Sequence, residues 1–107
     1  MVHKSSIETL SRVNLRRASQ GLAEQFNIIP YPFVGKAYDE IVAEFVLLRE
    51  SGVRVKELAQ MLLDAIEILL HGLAKPNITQ QREKKLTRDL SDLLGRLSIL
   101  EDLYFDK

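Results

Sequence analysis

Residues 55–71 form a predicted helix that is apolar around most of its circumference. One set of its apolar residues follows a spacing of three and four and makes a seam: Val55, Ala59, Leu62, Ile66, Leu69 and Leu73. A further apolar set lies outside that seam: Leu58, Met61, Leu63, Ala65, Ile68 and Leu70. The polar residues are confined to one narrow stripe: Gln60, Asp64, Glu67 and His71. A helix of this kind needs cover on nearly every side, so it predicts a central place in a bundle, a partner subunit, or both.

A second leucine seam predicts what packs against this helix within the chain. Its leucines are spaced four, three, four and three, which is the heptad pattern of helices that pack side by side in coiled coils. They are Leu86, Leu90, Leu93, Leu97 and Leu100. The connection between the two seams, residues 72–77, is short and contains Gly72 and Pro76. Because a short connection brings consecutive helices into antiparallel contact, we expect a helical hairpin at the C-terminus.

Proline residues divide the first half of the chain. Residues 5–8 at the start of the chain have the pattern of a capping box, which predicts a first helix over residues 5–25. Pro30 and Pro32 then disfavour helix, both at their own positions and at the residues before them. The surrounding segment, residues 27–35, is apolar and aromatic rather than rich in Ser and Gly. We therefore expect it to pack as a strap across the end of a bundle instead of acting as a flexible linker.

The remaining helix boundaries complete the predicted architecture. Apolar periodicity predicts a second helix over residues 36–50, which Gly52 ends by adopting a left-handed conformation. Asn77 is the predicted N-cap of the last helix, which extends to residue 103. The expected fold class is all-α: a four-helix antiparallel bundle in a single domain, residues 1–107, with the proline-containing strap between its first and second helices.

The apolar surface of this bundle predicts self-association. Each Leu, Ile or Met side chain left in water forgoes about 1.5 to 3 kcal/mol, a large share of the roughly 5 to 15 kcal/mol that stabilises a domain. Three other helices could surround the third, but a partner subunit would cover it more completely, so we expect a homodimer. The residues expected at its self-association surface come from both helices of the hairpin: Leu58, Met61, Leu63, Ile68, Leu70, Leu86, Leu90, Leu93, Leu97 and Leu100.

Composition excludes several classes of protein. The 15 basic and 15 acidic residues balance in a chain of 107, so no net charge attracts it to nucleic acid or anionic lipid. The chain contains no cysteine, which removes disulfides and thiolate chemistry. Its most apolar window, residues 58–73, is shorter than the roughly 20 residues needed to span a bilayer, and the N-terminus has no apolar run typical of a secretory signal. We expect a cytoplasmic protein that does not bind membranes.

The residues available for catalysis are few. The histidines are His3 and His71, and the glycines are scattered singly, so the chain has no Gly-rich loop of the kind that holds phosphates. No serine has the flanking glycines of a nucleophile elbow. We therefore expect no enzymatic activity and no cofactor.

Three polar residues of the third helix form a candidate metal site. Asp64, Glu67 and His71 share a helical face, and carboxylates with an imidazole are suitable ligands. Di-iron helical bundles use Glu-x-x-His, however, whereas Glu67 and His71 are four residues apart and no second helix supplies a matching set. A solvated stripe is the favoured interpretation, and no bound metal is expected.

Two basic segments leave a role in nucleic-acid binding open. Residues 1–20 carry four basic residues and one acidic, and residues 75–88 carry five basic and one acidic. Residues 47–62 have the form of the first part of a helix-turn-helix, but no turn follows that would begin a recognition helix. A basic leucine zipper fits no better, because the basic stretch is short and overlaps the seam. The residues that could contact phosphates are Arg12, Arg16, Arg17, Lys84, Lys85 and Arg88.

These observations favour a non-catalytic module that binds another protein through its helix surfaces, as a regulatory or adaptor protein. An accessory nucleic-acid-binding or transcription-regulatory protein is the alternative. Gly95, Tyr31 and Phe33 were considered as docking features, because a mid-helix glycine permits close approach and aromatic rings are common at interfaces. Local packing is the favoured interpretation of all three.

Overall fold

A computed structural model describes Gly21, Glu24 and residues 27–104 of the chain. The regular structure of these residues consists of three helices: α1 (Gly35–Glu50), α2 (Val55–Leu73) and α3 (Gln80–Tyr104). None of them belongs to a strand. The all-helical prediction is therefore confirmed for this part of the chain, and the last three predicted helices correspond to α1, α2 and α3. The predicted first helix lies outside the described residues except for Gly21 and Glu24, which are helical, so the four-helix bundle stays a prediction.

The two leucine seams bring α2 and α3 together as an antiparallel hairpin. Gly72, near the end of α2, lies against Leu86 near the start of α3. Further from the connection, Ala65 of α2 and Leu93 of α3 line the same cleft. α3 contacts α1 as well as α2, so it is the central element of the described residues.

The core has contributions from all three helices. It comprises Ile28, Ile41, Phe45, Leu58, Ala59, Ile66, Leu86, Leu90, Leu94, Leu97, Ile99 and Leu100. The seam predicted for α3 is only part of its buried surface: Leu93 is half-buried, whereas Leu94 is fully buried. The reason is that α3 packs on two sides, so its buried face is broader than a single heptad stripe. Glu101 on the same helix is also buried.

The end of α1 is built as the sequence predicts. Gly52 has φ of +103°, a conformation that residues with a side chain rarely adopt. Its N–H donates to the Arg49 carbonyl, and the Val53 N–H donates to the Leu48 carbonyl. This pair of bonds is the Schellman motif, which satisfies carbonyl groups that the helix end would leave unpaired.

The starts of α2 and α3 use different caps. At α2, the Arg54 N–H donates to the Glu57 carboxylate at 2.9 Å, and this backbone hydrogen bond is the main cause that lowers the pKa of Glu57. At α3, the Arg82 N–H donates to the Thr79 hydroxyl at 3.2 Å. The prediction of Asn77 as the N-cap of the last helix is therefore wrong: Thr79 lies three residues before the amide that needs a partner, and the helix begins at Gln80.

Residues 27–34, here called the proline segment, run along α3. Asn27, its first residue, has φ of +56°, the left-handed conformation, and donates its N–H to the Glu24 carbonyl. The Ser91 hydroxyl donates to the Ile29 carbonyl at 2.6 Å, and the Tyr31 N–H donates to the Ser91 carbonyl at 3.0 Å. One serine of α3 thus holds the segment through both its side chain and its backbone. That the segment crosses the end of a four-helix bundle stays a prediction.

Gly95 is the position where the proline segment comes closest to α3. A Cβ atom built there would lie 2.5 Å from the Tyr31 carbonyl oxygen and 2.8 Å from Cε2 of the Phe33 ring. The Tyr31 and Phe33 rings contact each other edge to face, with centroids 4.7 Å apart. Gly95 therefore serves local packing of the proline segment, as the favoured interpretation of the sequence had it.

Candidate protein interaction surface

The described residues form a groove between α2 and α3, here called the α2–α3 groove. It consists of two adjoining clefts that share Ile68. The first has a volume of about 470 Å³ and is lined by Ala65, Ile68, Leu69, Asp89, Asp92 and Leu93. The second extends to the hairpin connection, has a volume of about 600 Å³, and is lined by Asp64, Glu67, Ile68, His71, Gly72, Lys75 and Arg82.

Two large apolar side chains of α2 are exposed to solvent, and one of them, Ile68, lines both clefts. Ile68 is 71% exposed and Met61 is 57% exposed. They are seven residues apart, so they lie on the same face of the helix two turns from each other. The opposite side of α2 is covered, since Ala59 and Ile66 are buried in the core. The described residues thus cover one side of the most apolar helix and leave another side exposed.

The residues predicted for self-association divide into three groups. Five are buried in the chain's own core and present nothing to a second copy: Leu58, Leu86, Leu90, Leu97 and Leu100. Leu63, Leu70 and Leu93 are half-buried and pack against that core. Met61 and Ile68 are exposed. The sequence pattern shows how much of a helix is apolar, but it does not show which side its own chain covers, and this is why the predicted set was too broad.

The middle of the α2–α3 groove is acidic on both rims. On the α2 side, Asp64 accepts a hydrogen bond from the Gln60 amide at 2.6 Å, while Glu67 is exposed and forms no ion pair or hydrogen bond with any described residue. On the α3 side, Asp89 pairs with Lys85 at 3.2 Å. Asp92, the other acidic residue of that rim, pairs with Arg96.

The end of the groove near the hairpin connection carries the opposite charge. Lys75 and Arg82 line the 600 Å³ cleft together with His71. Both cations are exposed, and neither forms an ion pair within the part of the chain that the structure describes. The groove therefore has an acidic middle and a basic end, and Asp64 and Glu67 line the same cleft as Lys75 and Arg82.

Arg96 links three parts of the structure beside the first cleft. Its guanidinium lies 2.7 Å from Asp92 of α3 and 3.3 Å from Glu44 of α1. It also lies 6.0 Å from the centroid of the Phe33 ring. Partial burial acts to lower the pKa of Arg96, but the hydrogen bond and charge of Asp92, helped by Glu44, outweigh it and raise that pKa. Arg96 is not among the residues predicted from sequence; its spacing of four from Asp92 indicates that ion pair but not the contact with Glu44.

The residues considered as a metal site line one cleft but do not form a ligand cluster. Asp64, Glu67 and His71 all border the 600 Å³ cleft. Among the described residues, no group of three or more His, Asp or Glu side chains is placed to hold a metal ion.

The residues considered for nucleic-acid contact are only partly described. Lys84, Lys85 and Arg88 are exposed near the start of α3. Lys85 is paired with Asp89, whereas Lys84 and Arg88 form no ion pair with any described residue. Arg12, Arg16 and Arg17 lie outside the described residues.

Comparison with protein-family models, curated proteins and solved structures finds no match for this chain. None of the described helices combines the length and apolar character that crossing a membrane requires.

Proposed function

We propose that this chain is a non-catalytic helical protein–protein interaction module, of the regulatory or adaptor kind, that acts as a homodimer in the cytoplasm. The exposure of Ile68 and Met61 on one face of α2 is the observation that carries the proposal. Single exposed apolar residues are ordinary on protein surfaces. Here two of them are aligned along one helix, and one stands over a groove with apolar residues in its floor. Contiguous apolar surface rimmed by polar groups is typical of interaction sites.

Covering this face contributes favourable free energy to association. Complete burial of an Ile or Met side chain stabilises by about 1.5 to 3 kcal/mol. A homodimer buries each residue twice, once in each copy. The half-buried leucines that line the groove add further apolar contact area.

The proposed architecture of the whole chain is a single domain of four antiparallel helices with a proline-containing strap. The helical conformation of Gly21 and Glu24 supports a helix before the proline segment. The left-handed conformation of Asn27 supports an end of that helix at this residue, because Asn is one of the few residues that adopt this conformation after a helix. The hydrogen bonds of Ser91 to the proline segment support the strap.

The test of this proposal compares the oligomeric state of two variants by size-exclusion chromatography with light scattering. Ile68→Glu places a charge in the proposed interface and should convert the dimer to a monomer. Leu47→Glu is the matched control, because Leu47 is 65% exposed on α1 and lies outside the groove; it should leave the dimer intact. Equal oligomeric states for wild type and Ile68→Glu would contradict the proposed interface.

Nucleic-acid binding is the second candidate function. The observation that favours it is that Lys84 and Arg88 are exposed, one helical turn apart, and not neutralised by any described residue. Phosphate binding of this kind weakens steeply with salt. Retention on immobilised DNA that collapses at moderate salt and is lost in Lys84→Glu with Arg88→Glu, but not in Lys36→Glu, would support it. Retention that is absent at low salt would exclude it.

A further inference from the structure

We infer that the occupant of the α2–α3 groove is the same groove of a second copy, with the two α2 helices antiparallel and crossing at Ile68. The inference rests on the proposed function and adds to it a register and a set of charge pairs. A homodimer of this kind is isologous, meaning that each residue meets its counterpart across a two-fold axis.

The positions around Ile68 suit such an axis. Asp64 lies four residues before Ile68 and Gly72 lies four residues after it, so each is about 6 Å from Ile68 along the helix. In an antiparallel pair that crosses at Ile68, Asp64 of one copy faces the neighbourhood of Gly72 of the other. Gly72 has no side chain, so the second helix can approach closely. The clefts on either side of Ile68 leave space for the same residue of the second copy.

The charges of the groove agree with this register. In this register Asp64 of one copy lies within one helical turn of Lys75 of the other, and Arg82 lines the same cleft as that lysine. Neither Lys75 nor Arg82 has an ion pair among the described residues, so both are available to a second copy. Each pair occurs twice in the dimer because of the symmetry.

Other occupants fit the charge pattern less well. A parallel pair of α2 helices would place Asp64 against Asp64 and Lys75 against Lys75, and like charges across an interface are unfavourable. A uniformly basic helix from another protein would be attracted to the middle of the groove and repelled by its end. The groove is bipolar, and an antiparallel copy of itself carries the complementary bipolar pattern.

The experiment uses charge reversal and mixing of full-length chains. One variant is Asp64→Lys, and the other combines Lys75→Glu with Arg82→Glu. Each reversal creates like charges across the two-fold axis, so each variant alone should dimerise about 10-fold to 100-fold more weakly than wild type. An equimolar mixture should form heterodimers with an affinity near that of wild type, because the reversed charges then face opposite ones.

Two controls separate this effect from general changes in charge or folding. Asp39→Lys and Lys36→Glu make the same changes at exposed positions of α1 and should leave the dimer intact. Circular dichroism and the thermal midpoint check that each variant is folded. If Asp64→Lys does not fold, Asp64→Asn removes the charge without reversing it and should weaken the dimer by a smaller factor.

The outcomes distinguish the inference from the proposed function. Monomeric single variants that form heterodimers when mixed support both. A dimer that is lost in Ile68→Glu but is unaffected by either charge reversal overturns this register and leaves the proposed function in place. A wild-type chain that stays monomeric, and binds a different protein through Ile68, overturns the homodimer while leaving an interaction module. A monomer that binds nothing through Ile68 overturns both.

Discussion

Gly95 on α3 lies beneath the carbonyl of Tyr31, so closely that a Cβ at position 95 would be 2.5 Å from that oxygen. The obstacle is a backbone atom of a segment that Ser91 holds by two hydrogen bonds. It therefore cannot turn aside as a flexible side chain would.

Gly95→Ala should destabilise the protein, although alanine is the better helix former. The change in helix propensity favours alanine by about 1 kcal/mol. The clash with the Tyr31 carbonyl and the Phe33 ring should outweigh it and leave a net loss of about 1 to 3 kcal/mol. Urea unfolding measures the difference. Gly21→Ala is the control, because Gly21 is helical and nothing lies near its missing Cβ; that variant should be stabilised. A gain of stability at both positions would refute the close contact at Gly95.

Gly52→Ala should lower the free energy of unfolding by about 1 to 2 kcal/mol, because φ of +103° is strained for any residue with a Cβ. Gly52→Asn should lose less, since Asn tolerates positive φ better than Ala does. Thermal denaturation of wild type, Gly52→Ala and Gly52→Asn measures their order of stability. Alanine and asparagine variants as stable as wild type would show that the end of α1 does not need this conformation.

Ser91→Ala should cost about 0.5 to 1.5 kcal/mol, the usual net value of a lost hydrogen bond. The lost bond is the one from the Ser91 hydroxyl to the Ile29 carbonyl. Hydrogen exchange at the Tyr31 amide should accelerate as the proline segment loosens, although its own bond to the Ser91 carbonyl remains. Ser98→Ala, at an exposed position of the same helix, is the control. Unchanged exchange at Tyr31 in Ser91→Ala would contradict this role of the hydroxyl.

The Glu57 cap should make stability depend on pH in the acid range. Folding lowers the pKa of Glu57 below its ordinary value of 4.5, so its carboxylate stabilises the folded state while it is ionised. That contribution is complete above the ordinary pKa and is lost as the pH falls through the lowered one. The stability difference between wild type and Glu57→Gln should therefore shrink on acidification, as urea midpoints measured at several pH values will show. Glu40→Gln, on the exposed face of α1, serves as the comparison. If the stability difference between wild type and Glu57→Gln grows on acidification, the prediction is contradicted.

The hairpin was predictable from sequence because its signals are local. The two leucine seams and Gly52 depend on spacing and on residue type, and both appear in the structure where the pattern indicates. The exact buried set of α3 was not predictable, since Leu94 is buried by a second contact surface that a single heptad repeat does not encode. The cap at Thr79 was missed because Asn77 and Thr79 are both good capping residues and only geometry chooses between them.

The candidate surface depended on longer-range information. Whether Ile66 or Ile68 faces solvent is decided by where α3 packs on α2, and the apolar pattern of α2 is similar on both sides. The contact of Ser91 with Ile29 joins residues 62 positions apart. The sequence predicts that α2 has more apolar surface than the other helices cover, and among the described residues its exposed part includes Ile68.

Sedimentation equilibrium of the wild-type chain over a wide range of concentration tests the central claim most directly. If the exposed face of α2 mediates self-association, the apparent mass should rise from 12.2 kDa toward twice that value as concentration increases. In Ile68→Glu the mass should stay at that of one chain under the same conditions. A wild-type mass of 12.2 kDa at every concentration, identical to that of Ile68→Glu, would contradict the claim.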